Sequence, residues 1–157
     1  MNCAPRAETG KASPYTAAVG LIGFVKQDEA FLRDLLDRAE CLPAPDCQGA
    51  AQPGECVAAA LSALRREGIP VVLCDRDEMP DAWKELLRQF ASLSQPPCLI
   101  VTSRLADEYL WAEALNLGAY DVLARPFDAG EVVRSVNLAR SHWQSRTAAP
   151  RVARAVA

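Results

Sequence analysis

The chain is short of the residues that build metal and redox centres. It has one histidine, His142, and its six cysteines (3, 41, 47, 56, 74 and 98) include no Cys-x-x-Cys pair. A zinc site takes four ligands, mostly nitrogen or sulfur, so this set argues against one. Cys74 and Cys98 fall inside apolar runs that read as buried strands, and the thiols are expected to be free and packed as small apolar groups. No stretch approaches the roughly 20 apolar residues of a membrane span. The N-terminus lacks the charged-then-apolar pattern of a signal peptide. Basic residues are scattered and the net charge is -3, which argues against a nucleic-acid face. There is no glycine-rich phosphate loop, nucleophile elbow or histidine–acid pair, so no enzyme class is indicated. These absences together predict a cytoplasmic protein that is not an enzyme and engages neither membrane nor nucleic acid.

What is present is ordinary globular material. The 157 residues are 50% hydrophobic and 24% charged, enough for one domain with a real core. Ile69–Pro80 holds the most informative stretch: the apolar run Val71–Cys74 stops at Asp75 and breaks into a turn closed by Met79 and Pro80. Such a run reads as a strand buried on both faces of a parallel sheet. Val19–Val25, Pro97–Val101 and Tyr120–Ala124 read as further strands. Between and after them, Phe31/Leu32/Leu35/Leu36, Val57/Leu61/Leu64, Trp83/Leu86/Leu87/Phe90, the stretch 105–117 and Val132/Val136/Ala139/Trp143 carry helical periodicity. Asp28 and Asp81 are placed to cap helices, Gly118 to end one, and Asp128 with Glu131 has capping-box spacing.

Regular alternation of strand and helix predicts an α/β fold, a flavodoxin-like doubly wound parallel sheet of five strands in the order 2-1-3-4-5. Strand 2 falls in the proline-rich stretch 41–53, so it is either a short edge strand or absent. Residues 1–14 read as a flexible leader, 15–146 as the folded domain and 147–157 as a flexible tail.

Three segments meet at the carboxyl ends of the strands: Asp75 after strand 3, Thr102 and Ser103 after strand 4, and Arg125-Pro126-Phe127 after strand 5. An acid, a hydroxyl residue and a cation before Pro-Phe, in that order, resemble the receiver domain of two-component response regulators. The resemblance spans roughly residues 17–143. It extends to bacterial single-domain receivers through Asp75-Arg76-Asp77, Trp83 and the VTSRLADE segment. It implies that Asp75 is the phosphoacceptor for a histidine kinase, that Thr102, Ser103, Arg125 and Pro126 form the phosphoryl pocket, and that an acidic pair after strand 1 holds Mg²⁺. It also makes the Arg125–Pro126 bond a candidate cis peptide.

The acidic pair is where the pattern fails. Counted from Val25, its positions fall on Lys26 and Gln27, which cannot hold Mg²⁺. The Lys26 ammonium is then expected in the metal's place, paired with Asp75, with no metal and no cofactor required. An alignment slid by one or two residues makes Asp28 and Glu29 the acidic pair and restores Mg²⁺; the other reading of those two is a helix cap and a solvated first turn. Asp77 reads as a turn residue. Thr102 and Ser103 stand equally as caps of the following helix.

The expectation is therefore a pseudo-receiver: a single-domain, receiver-like protein of phosphorelay signal transduction with a degenerate acidic pocket, acting through protein–protein contact. The alternative is a functional receiver phosphorylated on Asp75. The chain ends soon after its last helix, so the output is expected to be a protein partner, such as a histidine kinase or a downstream signalling protein, or a homodimer. The face formed by the helix after strand 4, strand 5 and the last helix, with Tyr109, Trp111, Tyr120 and Trp143, is the surface the resemblance implies. The open edge of strand 1 is the other candidate.

Overall fold

The computed structural model describes residues 18–39, 41–43, 58, 61, 62, 64, 65 and 68–147. The expected leader, Val57, Cys3, Cys47, Cys56 and all of the expected tail except Thr147 lie outside the described residues. Four strands form a parallel sheet in the spatial order β1 (Ala18–Ile22), β3 (Val71–Asp75), β4 (Cys98–Ser103) and β5 (Asp121–Ala124). Leu42–Pro43, labelled β2, adds two residues alongside β1, opposite Ala18 and Val19. Four full strands and this bridge are what the described residues contain of the expected five-stranded sheet.

Strand alternation divides the core in two. Val71 and Leu73 of β3, with Val19, Leu21, Ile100 and Leu123, face α1 (Lys26–Arg38) and α4 (Ala129–Thr147). Val72 and Cys74, with Ile22, Leu99, Val101 and Val122, face α2 (Ala82–Phe90) and α3 (Glu108–Leu117). Leu61 and Leu64, both helical and buried, pack on this second face. All five residues of β3 are buried, as a central parallel strand demands. Trp83 on α2 and Trp143 on α4 are the large anchors of the two faces. Cys41 and Cys98 are free buried thiols and Cys74 is buried in β3.

Several boundaries differ from the sequence reading, each for a local reason. Strand β1 ends at Ile22 and not Val25, because Gly23 has φ +81 and turns the chain out of the extended region. A side chain at Gly23 would also meet Met79 Sδ at 2.6 Å, so the β1 end and the turn after β3 pack too closely for one. Helix α3 starts at Glu108, where the Asp107 carboxylate accepts from Leu110 N at 3.0 Å. Gly118, at φ 108, ends it as expected. Asp128 caps α4, accepting from Glu131 N at 2.9 Å. Asp28 and Asp81 do not cap: α1 begins after Val25 and α2 after Asp81, neither with a side-chain cap bond. No helix among the described residues is long and apolar enough to cross a membrane.

A carboxylate and guanidinium cluster at the strand ends

Parallel strands deliver their carboxyl ends to one edge of the sheet, and the registers place the candidate residues side by side. Asp75 is the last residue of β3 and pairs in register with Thr102, while Ser103 pairs with Ala124. Arg125 follows β5 directly, and its N–H donates to Ser103 O at 3.0 Å. Asp75, Thr102, Ser103 and Arg125 are all buried. The peptide bond between Arg125 and Pro126 is cis; Pro126 itself is exposed.

Asp75 has no exposed surface, and both of its oxygens are engaged. Oδ1 accepts from Thr102 Oγ1 at 2.9 Å. Oδ2 accepts from Glu78 N at 3.1 Å and from Arg125 NH2 at 3.3 Å. Arg125 Nε stands 3.2 Å from Oδ1 as an ion-pair contact without hydrogen-bond geometry. Burial pushes the Asp75 carboxyl above its usual range, outweighing the Thr102 hydroxyl, the Glu78 amide and the Arg125 charge, which all pull it down.

Asp77 lies in the turn after β3, as expected, and is in addition a second centre of the cluster. Its Oδ1 accepts from Ser103 Oγ at 2.7 Å, and its Oδ2 from Arg104 N and Arg125 NH2, each at 2.7 Å. Burial raises its pKa, but the Arg104 amide, the Ser103 hydroxyl and the Arg125 guanidinium together outweigh that and hold it below the usual carboxylate range. Asp28 is the third acid. It reaches in from the first turn of α1, with Oδ2 2.6 Å from Arg125 NH1. Thr102 and Ser103 thus spend their hydroxyls on Asp75 and Asp77, and the following helix is capped by Asp107.

The expectation for Lys26 is overturned. Lys26 and Gln27 are exposed at the start of α1, and the cation paired with Asp75 is Arg125. The physical reason is the early end of β1. With Gly23 and not Val25 leaving the strand, Lys26 has already turned onto the helix surface. Asp28 and Glu29 do not act as a pair either, since Glu29 bonds along the helix to Arg33 at 2.9 Å while Asp28 turns inward. The residue just past the end of β1 on this side is Gly23, where a Cβ would stand 3.6 Å from Asp75 O, and it carries no acid.

Phe127 follows the cluster and sits between two rings, 6.2 Å from Phe24 and stacked at 6.2 Å on Phe31 of α1. No local signal in the sequence marks Asp28 or Asp77 as partners of Arg125. Arginine is seldom fully buried unless paired, so it is the burial of Arg125 that calls for more negative charge than Asp75 alone.

Mg²⁺ binds oxygen ligands about 2.1 Å from a common centre in octahedral array. The three carboxylates do not fit that requirement. They surround a guanidinium, whose positive charge repels a second cation, and the Asp75 and Asp77 oxygens already accept from this chain's own donors. Among the described residues no group of three or more His, Cys, Asp or Glu is arranged to hold a metal ion.

No family model matches the chain, and no curated protein matches it. Its fold is nonetheless that of response-regulator receiver domains. It is similar to a response regulator from Thermotoga maritima, with a TM-score of 0.64 and 21% identity over 79% of this chain and 97% of that one. It is similar to a receiver domain protein from Clostridium thermocellum, with a TM-score of 0.66 and 16% identity over 81% and 96%. It is also similar to the beryllofluoride-activated NtrC4 receiver domain dimer, with a TM-score of 0.67 and 15% identity over 81% and 98%.

Proposed function

We propose that this chain is a pseudo-receiver: a receiver-like signalling module that works by binding protein partners and does not depend on phosphorylation of Asp75. The observation that carries the reading is the closure of Asp75, which has no exposed surface and has both oxygens held by Thr102, Glu78 and Arg125. A phosphoacceptor must present a carboxylate oxygen to an incoming phosphoryl group, and a cation must neutralise the oxygens it approaches. Here the cation is already bound to the carboxylate. In this reading Leu42–Pro43 is the shortened second strand of the order 2-1-3-4-5. The partner is a histidine kinase, a downstream signalling protein or a second copy of the chain. Tyr109 and Trp111 on α3 are the exposed aromatics of the contact face, with Tyr109 86% exposed, whereas Trp143 is buried and does not belong to that face.

The test is tryptophan fluorescence during Mg²⁺ titration with and without beryllofluoride, on the wild type and on Asp75→Asn. Trp83 is fully buried on the helix that follows the Asp75 turn and reports on its packing. The expected result is no saturable response up to millimolar metal. A saturable response in the wild type that disappears in Asp75→Asn would establish the working receiver in its place.

A further inference from the structure

We infer that the cation of this pocket is part of the chain itself: the Arg125 guanidinium is its permanent occupant, joining α1, the end of β3 and the turn after β3 to the end of β5 in the absence of any metal. This rests on the reading that the pocket is that of a receiver-like module. It goes further in saying what holds the pocket in one state.

The geometry is that of a three-way clamp. NH1 faces Asp28 at 2.6 Å, NH2 faces Asp77 at 2.7 Å and Asp75 at 3.3 Å, and Nε stands 3.2 Å from the other oxygen of Asp75. A planar fork with five N–H donors can face three carboxylates at once, whereas a lysine ammonium is a point charge that cannot span them. Among the described residues these acids are not arranged as a metal-ligand group, and the oxygens a cation would need at about 2.1 Å already accept from the guanidinium, the Thr102 and Ser103 hydroxyls and backbone N–H groups. The side chain is 5% exposed, so its charge is compensated inside the fold and not by solvent. The acids come from two separate parts of the chain, Asp28 from α1 and Asp75 with Asp77 from the end of β3 and its turn, and the pocket therefore loses its organisation if the guanidinium is removed and regains it if a guanidinium is returned.

That statement is tested by chemical rescue in Arg125→Ala, followed by thermal unfolding of the full chain at pH 7. The variant is expected to melt roughly 10 °C below the wild type, as loss of one partner of a buried ion cluster implies. Methylguanidinium at about 20 mM, far below denaturing concentrations, is expected to restore at least a third of that loss in the variant and to leave the wild type unchanged. Equal concentrations of NaCl or tetramethylammonium chloride are expected to restore none. Wild type and Arg125→Lys are both expected to show no stabilisation by 10 mM MgCl₂, with Arg125→Lys melting between wild type and Arg125→Ala. If Arg125→Ala does not fold, methylguanidinium is expected to recover folded protein on refolding, read by circular dichroism.

Rescue no better than that by NaCl, or stabilisation of the wild type by MgCl₂, overturns the inference. The beryllofluoride experiment stands apart. A pocket without rescue and without a beryllofluoride response loses the clamp and keeps the pseudo-receiver, whereas a beryllofluoride response removes the pseudo-receiver whatever the rescue shows.

Discussion

Replacing Asp77 by asparagine removes the charge from a side chain that accepts three hydrogen bonds, from Ser103 Oγ, Arg104 N and Arg125 NH2. The asparagine oxygen, placed where Oδ2 stands, can still accept from Arg104 N and Arg125 NH2, but without the charge that strengthens them, and its amide nitrogen then faces the Ser103 hydroxyl, which must turn to accept. Hydrogen bonds to a charged group contribute about 1.5–3 kcal/mol each, and the Asp77 side chain is 23% exposed, so water recovers part of the loss. A net cost of about 2–4 kcal/mol follows, or a fall in melting temperature of roughly 5–15 °C for a domain of this size. Asp81→Asn is the matched control, because Asp81 is exposed and makes no side-chain cap bond; it should stay within about 0.5 kcal/mol of wild type. The pH dependence sharpens the test. The folded pKa of Asp77 is depressed, so its contribution is present above the unfolded carboxylate value, about 3.9, and is lost as pH falls through the lower folded value. Urea unfolding should therefore show a gap between wild type and Asp77→Asn that is full from pH 7 to about 5 and closes below about 4. A gap that persists undiminished to pH 3, or one no larger than that of Asp81→Asn, would refute the reasoning.

Two further outcomes follow from the same geometry. Carbon-13 titration of the carboxyl groups should find Asp75 above the usual carboxylate range and Asp77 below it. Stability linked to Asp75 then has the opposite slope, being full below its unfolded pKa and lost as pH rises through the elevated folded one; the reverse order of the two titrations would sink this. Gly68→Ala, at φ +65 with nothing within 4 Å of a new Cβ, should cost only the left-handed backbone strain, about 1–2 kcal/mol. Gly23→Ala adds the collision with Met79 and should cost about 1–3 kcal/mol more. Equal melting temperatures for the two alanine variants would show that Met79 yields freely.

The fold could be read because its signals are local. Val71–Cys74 and Cys98–Val101 are apolar runs of strand length, and the stripes of α2 and α4 repeat at helical spacing, so strand, helix and their alternation are each visible within a dozen residues. Asp75, Thr102, Ser103 and Arg125 could be placed for the same reason, since a strand end is a local feature and parallel strands bring like ends together. Asp28 and Asp77 could not. An acid near a helix start has the local pattern of a cap or first-turn charge, and an acid two residues past a strand has that of a turn. What recruits them is the reach of Arg125 across 97 and 48 positions of sequence. The difference at Lys26 has a smaller cause. Val19–Val25 is apolar throughout and reads as one strand, but the chain turns at Gly23, and a shift of three residues at a strand end moves a side chain from the pocket to the helix surface.

Phe127 gives the pocket a handle on the outside. Its ring is stacked on Phe31, which is 40% exposed, and the backbone that carries it is only two residues on from Arg125. A protein that grips Phe31 therefore takes hold, through one ring, of the loop that seats the guanidinium. The linkage runs both ways by thermodynamic necessity. A partner that binds more tightly while Arg125 is seated must seat Arg125 more firmly in return, and one that binds more tightly while Arg125 is displaced must favour its release by the same factor.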